Sequence, residues 1–351
     1  MTIDNSATLD TVGIPRLKAG EDVKTISDEF SLINLLARRA NTRPDVVLGI
    51  GDDAALLQVP HGQQLVITTD TLNSGVHFPA QTNAFDIGWK SLAVNLSDLA
   101  AMGAQAAWCS LSLVLPQADQ QWLDNFCDGF FALATQQNVA LIGGDTTRGP
   151  LSLSITALGW VPNGHALRRD NAQVGDDIWV SGFLGEAAGA LQLWQGGQLD
   201  VSVTSHDTNY ECLRQRLLCP QPRLALGQVL RSLAHAAVDI SDGLLADVGH
   251  IAQRSGLAAV IEAAALPLST ALRTAFDENR ARACALRGGD DYELCFTAAP
   301  SKRSAIEALA QQLSLPLTRI GMMHAGSGVI CEGEANHTAA ATGYRHFSHS
   351  S

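Results

Sequence analysis

Basic residues are scarce in this 351-residue chain: 23 Lys and Arg stand against 35 Asp and Glu, a formal net charge of −12 at pH 7. No basic run occurs, nor any basic patch interleaved with aromatics. Nucleic-acid affinity rests on clustered Lys and Arg, so a nucleic-acid partner is excluded. Long apolar runs are missing too. None approaches the roughly 20 residues that span a bilayer. Residues 1–27 are polar and mixed in charge, without the apolar centre of a secretory signal. A soluble, cytoplasmic protein without a membrane partner is expected. The seven cysteines form no C-x-x-C pair, and several sit in apolar runs such as "AAWCSLSLVL". They read as small buried hydrophobes in a reducing compartment, not as a zinc site or a disulfide framework. His77, His250 and His324 are isolated, and a lone histidine is more often structural than a ligand.

What is present is core material. Hydrophobic residues make up 46% of the chain and charged ones 17%, enough for about two packed domains. Residues 1–27 read as a flexible tail. Glu29 to Ala40 has helical spacing, and strand signals follow at Val46–Ile50, Leu65–Thr69, Trp108–Leu115 and Leu151–Trp160. Helices are expected over "AFDIGWKSLAVNLSDLAAMGA", closed by Gly103, and over Gln120–Gln137. A boundary falls in the Pro-, Gly- and Asn-rich stretch Val161–Asp177. The pattern predicts an α+β or α/β protein with domains at 28–165 and 166–351.

The stretch "VVLGIGDDAALL" ends a strand on two adjacent carboxylates, Asp52 and Asp53. Other acids sit in similar places: Asp70 in "VITTDT", Asp145 in "IGGDTTRG", Asp239 and Asp242 in "VDISDG", Asp290 and Asp291 in "RGGDDYEL". Each has a bland alternative; Asp242 could cap the next helix and Asp145 could make an Asx turn. The repetition is harder to dismiss. Ser91, Asn95, Asp98 and Met102 follow i, i+4, i+7, i+11, so Asp98 stands on a polar stripe of an otherwise apolar helix. Asp86 and Lys90, near that stripe, would pair as exposed i, i+4 charges. Oxygen ligands from several acids, with Thr68 and Thr69 beside Asp70, suit Mg²⁺.

"GIGDDA" matches the dinucleotide fingerprint G-x-G-x-x-A, but two aspartates would occupy the pyrophosphate position and no helix can follow so closely before Pro60 and Gly62. No Walker-A or G-x-S-x-G motif exists. "IGGDTTRGP" reads as a glycine turn that can approach an anion, with Arg148, Arg168 and Arg169 as nearby positive charges. "VSGFLGEAAGAL" opens a helix, and its glycines would either receive an anion or allow close packing. The residues thus point to a metal-dependent enzyme acting on a phosphorylated anion.

The segments "GIGDDAALL", "TTDTLNSGVHF", "KSLAVNLSDLAAMGA", "LIGGDTTRGPLSLSITALG", "DISDGLLADVGHI", "GGDDYELCFT" and "GYRHF" resemble those of the thiamine-monophosphate kinase family, from Glu29 to Phe347. That family lies in the aminoimidazole ribonucleotide synthetase superfamily. The resemblance implies a two-domain fold whose N-terminal strands join a second copy in a dimeric barrel, with a C-terminal α/β domain. It implies phosphoryl transfer from ATP to thiamine monophosphate, giving ADP and thiamine diphosphate, with several Mg²⁺ ions. Direct transfer without a phosphoenzyme is expected. Carried over by position, Asp53, Thr68, Thr69, Asp70, Asp98, Asp145, Asp239 and Asp242 would hold magnesium, with Asp53, Asp70 and Asp98 central to catalysis. Gly144, Asp145, Arg169 and Ser241 would contact ATP, and His77, Asp290 and Tyr344 the thiamine phosphate. The family usually carries Glu at Asp290, one methylene longer. The "DNA" after Arg169 replaces its usual Ser-Gly-Ala, and residues 1–27 have no counterpart there.

Overall fold

The computed structural model describes residues 29–333. The expected tail and Tyr344 lie outside the described residues. The first half runs α1 (Glu29–Arg39), β1 (Val46–Leu48), β2 (Leu56–Leu57), β3 (Gln63–Asn73), α2 (Ala84–Ala101), β4 (Gln105–Leu115), α3 (Gln120–Gln136), β5 (Ala140–Arg148) and β6 (Ser152–Pro162). The second runs β7 (Asp177–Ser181), α4 (Glu186–Gln195), α5 (Thr208–Leu218), α6 (Leu224–Leu230), β8 (Ala236–Asp239), α7 (Leu244–Ser255), β9 (Leu257–Glu262), α8 (Thr270–Ala275), α9 (Glu278–Arg287), β10 (Leu294–Ala298), α10 (Arg303–Leu313), β11 (Leu317–Ala325) and β12 (Gly328–Glu332).

The N-terminal sheet has the order β3-β6-β4-β5, antiparallel except for the β4–β5 pair. The C-terminal sheet has the order β12-β9-β11-β7-β10-β8, antiparallel except for β12–β9. "LIGGDTTR" is therefore a strand, not the expected glycine turn. Gly144 fits because β4 presses on it: a Cβ there would lie 1.8 Å from the Leu111 carbonyl oxygen, beside a register shift at Cys109/Ser110. The segment after Asp53 is the short strand β2 and no helix, as expected from Pro60 and Gly62.

Helix α2 packs on β3, β6 and α3 on one side and on β8, α5 and α6 on the other. One buried apolar cluster accordingly runs from Leu92, Leu96 and Phe126 in the first half to Leu226, Leu294 and Phe296 in the second. This placement corrects the reading of Asp86 and Lys90. They are not an exposed pair, being only 5% and 1% accessible. Asp86 Oδ2 accepts from Arg214 Nη1 of α5 at 2.9 Å, and Lys90 Nζ donates to Asp290 Oδ2 at 3.0 Å. Six of the cysteines are buried, as expected; Cys212 is exposed.

The outer face of the N-terminal sheet is partly bare. Leu65 and Ile67 of β3 are exposed, and among the described residues β3 and β5 are the edges of this sheet.

Where α2 meets α3 the backbones touch. A Cβ at Gly88 would lie 2.1 Å from the Phe126 carbonyl oxygen, and one at Gly129 would lie 1.9 Å from that of Phe85. Gly129→Ala should therefore force the helices apart and lower unfolding stability by about 2 kcal/mol or more in urea titrations. A wild-type midpoint would show that the crossing is not held at this separation.

Candidate active site

Strand parity decides what β3 offers. Thr68 and Asp70 alternate onto the side facing α2, while Thr69 points to the other side, where its hydroxyl pairs with Thr156 Oγ1 at 2.8 Å. The Thr69 side chain thus does not join Thr68 and Asp70. From α2, the predicted polar stripe meets them. Asp98 Oδ2 accepts from Thr68 Oγ1 at 2.5 Å. Asn95 Oδ1 accepts the Asp70 backbone N–H at 3.0 Å, and its Nδ2 donates to the Ser91 carbonyl at 3.0 Å. From the second half, Asp239 closes β8, and its Oδ2 accepts from Ser97 Oγ at 2.7 Å. Asp242 follows in the turn before α7.

Burial and neighbouring charge raise the pKa of three of these acids. Burial and then the charges of Asp98 and Asp242 push Asp70 up to about 6. Burial, then Asp98, pushes Asp239 up to about 8 despite the Ser97 hydrogen bond. Asp98 is raised chiefly by burial, opposed by Thr68 and the positive charge of Arg169. Asp247, in the first turn of α7, is pushed to about 7 by burial and Asp242. Four acids from β3, α2, β8 and the β8–α7 turn thus share one low-dielectric place.

Beside them lies a cavity of about 410 Å³ lined by Thr68, Asp98 and Met102, with Arg168, Arg169 and Arg254 on its rim. Arg168 is held by Asp170, at 2.8 and 2.5 Å. Among the described residues the Arg169 guanidinium has no hydrogen-bond or ion-pair partner, and its charge reaches Asp98, Asp239 and His250. Arg148 lines a different cavity with Leu115 and Thr147. Of the three arginines, Arg169 is the one that faces the acids.

Other predicted residues lie elsewhere. Asp145 sits on β5, opposite Ser112, while Asp70 is opposite Ile155 and Ile155 opposite Leu111. Three inter-strand spacings, about 14 Å, therefore separate Gly144 and Asp145 from Asp70 across the sheet. Asp53 is exposed between β1 and β2, with its N–H on Asp52 Oδ1, and no contact joins it to the cluster. His77 Nδ1 accepts the Asn73 N–H at 2.9 Å in the turn after β3. Asp290, at φ +68°, gives Oδ2 to Lys90 and accepts from Tyr292 Oη on Oδ1 at 3.0 Å. Tyr292 is half-buried, and desolvation, with Asp290 and Asp70 nearby, drives its pKa well up. His250 is not isolated: its ring and the carboxylates of Asp242 and Asp247 bring ligating atoms within 4.8 Å of one another. Burial and the charge of Arg169 lower its pKa. Ser97, Asp247 and Arg254 escaped the sequence reading, and Lys90 entered it only as half of an exposed pair. Only Asp247 and His250 carried a signal, their i, i+3 spacing behind "SDG".

The pH dependence follows from these shifts. Unfolded aspartates titrate near pH 4, about 2 to 4 units below the native values of Asp70 and Asp239. The native state then holds more protons across that interval, and stability falls as pH rises through it. Without divalent ions, the melting temperature of the wild type should drop between about pH 5 and pH 8 relative to Asp239→Asn, read by calorimetry. Parallel profiles would remove the mutual repulsion.

Comparison with known proteins agrees with this architecture. Residues 51–161 match the family model for the AIR synthase related protein N-terminal domain, and 173–333 that for its C-terminal domain. A thiamine-monophosphate kinase of Salmonella typhimurium is 48% identical over 298 residues, covering 85% of this chain and 90% of the relative. The crystal structure of the Stenotrophomonas maltophilia thiamine-monophosphate kinase superposes with a TM-score of 0.84 at 64% identity, covering 88% of this chain and 97% of that one. The structure of AaThiL complexed with AMPPCP and TMP gives a TM-score of 0.73 at 31% identity, covering 91% and 97%. Two AIR-synthase-type domains in sequence order, and this identity along nearly the whole length, place the chain in the thiamine-monophosphate kinase family.

Proposed function

We propose that this protein transfers the γ-phosphoryl group of ATP to thiamine monophosphate, giving ADP and thiamine diphosphate, by direct in-line transfer without a phosphoenzyme. The observation that carries the reading is the meeting of Thr68, Asp70, Asp98, Asp239 and Asp242, from both halves, beside a cavity bordered by Arg169. The relatives' name and the AMPPCP and TMP bound to AaThiL support it.

The donor set fits magnesium. It is all oxygen, and buried acids whose pKa values are raised lack enough fixed positive charge. Asp70, Asp98, Asp239 and Asp242, with Thr68, would hold Mg²⁺, which would supply positive charge to offset the repulsion between the phosphates. That repulsion is the main obstacle. The acceptor is a phosphate monoester, mostly dianionic at pH 7 with a second pKa near 6, so it needs no strong base. Each pair of unit charges about 4 Å apart costs about 4 kcal/mol at an effective dielectric near 20. Arg169 would take part of the ATP charge, with Ser241 beside it. His77 and Asp290 would meet the thiamine end.

Asp53 and Asp145 fit this reading through a second copy. A homodimer that set the β5 edge of one chain against β3 of the other would close the eight strands into a barrel, cover Leu65 and Ile67, and bring Gly144 and Asp145 to the partner's acids. In this reading residues 28–165 dimerise and 166–351 complete the site. The enzyme works in the cytoplasm on small molecules, with no nucleic-acid or membrane partner. No described helix is long and apolar enough to cross a membrane.

A coupled assay should find ADP release that depends on thiamine monophosphate. Release driven by an aminoimidazole precursor instead, or none, would favour a sister enzyme or a nucleotide sensor. Asp98→Asn should lower turnover at least about a hundredfold with an unchanged circular dichroism spectrum. Co-expressing Asp98→Asn with an equally inactive Asp145→Asn should restore about a quarter of wild-type activity, since half the dimers are mixed and each keeps one intact site. No restoration would mean that Asp145 does not act across the dimer.

A further inference from the structure

A helix that begins at a glycine turn offers free N–H groups and a positive dipole end, which is an anion site. Two helices of the second half begin this way, and neither is free. At α4, the Gly185 N–H is taken by the half-buried carboxylate of Asp291, at 2.8 and 3.0 Å. At α7, one oxygen of Asp247, a residue only 2% exposed, accepts the N–H groups of Ser241, Asp242 and Gly243 at 3.0, 3.0 and 3.1 Å. The same turn is held from behind. The Ser241 carbonyl accepts the Asp290 N–H at 2.9 Å, and the Ile240 carbonyl accepts that of Tyr292 at 2.8 Å. The turn therefore presents none of these three amides to a phosphate. It shows a cation the carboxylate of Asp242, with ligating atoms of Asp247 and His250 within 4.8 Å.

We propose that Asp247 is a positioning residue that converts the start of α7 from a phosphate site into a cation site. It does so by consuming the three donors of the turn and by setting a second negative charge beside Asp242. This rests on the reading of Asp242 as a magnesium ligand, and it explains how a cation could sit where a helix start would otherwise draw the ATP phosphates directly. Without Asp247 the turn would become an anion nest.

The test uses the full-length protein at pH 8. Asp247→Asn keeps an acceptor oxygen for the turn but removes the charge. Mg²⁺ should bind it about tenfold more weakly by calorimetry, and half-saturation of ADP release should move by the same factor. Turnover at saturating Mg²⁺ should stay within about threefold of wild type, and inorganic phosphate should inhibit at lower concentration. An Asp247→Asn protein with wild-type Mg²⁺ and phosphate dependence overturns the proposal. Asp242→Asn separates the two readings: if it too leaves Mg²⁺ binding unchanged, Asp242 is not a ligand, and if it alone weakens binding, only the role of Asp247 falls. Should Asp247→Asn fail to fold, hydrogen exchange on the wild type decides. The amides of Ser241, Asp242 and Gly243 should exchange slowly without ligands and be unaffected by phosphate. Rapid exchange, or protection gained only with phosphate, overturns the proposal.

Discussion

Like charges crowded out of water govern this molecule. Asp70, Asp98, Asp239 and Asp242 are delivered by four different segments to one place, and burial makes their repulsion expensive. A fold that only had to be stable would pair or solvate such groups. Elsewhere this one does so: Asp86 has Arg214, Asp177 has Arg303, and Glu293 has Arg223. The cluster is the exception. It is held by hydroxyl and amide groups, from Thr68, Ser97 and Asn95, which orient the carboxylates and the strand without neutralising them. Orientation without neutralisation is what a cation site requires.

Helix α2 carries that constraint between the halves. On one turn it offers Asp86 to Arg214 and Lys90 to Asp290; further along, Asn95 fixes β3 and Ser97 fixes Asp239. Removing one partner of a buried ion pair costs about 3–5 kcal/mol, because the other is left uncompensated. The helix is therefore not free to slide, and the β3 and β8 carboxylates keep their separation.

Much of this was legible in local periodicity. The stripe Ser91–Asn95–Asp98–Met102 follows from the helical repeat and is the face that meets β3 and the cavity. The strands at 65–69, 108–115 and 151–160 follow from apolar patterning, and Asp239 and Asp242 stand out as acids in the "VDISDG" turn before the family likeness gives them a role. Other features were hidden for physical reasons. The i, i+4 spacing of Asp86 and Lys90 suits an exposed pair equally well, and only α5 and the loop at Asp290 bury them. Gly143 and Gly144 read as a turn because glycine patterning cannot distinguish a turn from a strand pressed by its neighbour. Thr69 could have been set aside by strand parity, but its place beside Asp70 in the family motif outweighed that. Helix α5 is polar for most of its length and buries an arginine, Arg214, so no apolar stripe announced it.

Asp290 shows how tightly these parts are joined. Its family counterpart is usually Glu, and the shorter side chain ends on Lys90 and the Tyr292 hydroxyl. At φ +68° the residue lies in the left-handed region, which Asp adopts more readily than most side chains, and the same contacts that take up its charge hold that backbone. That same backbone donates to the Ser241 carbonyl, behind the turn that bears Asp242. The position of α2, the carboxylate expected at the thiamine end and the turn expected at the metal are thus connected through two consecutive contacts, Lys90 to Asp290 and the Asp290 N–H to the Ser241 carbonyl. Moving any one moves the others. Substrate seating and cation seating are, on this geometry, a single structural variable rather than two.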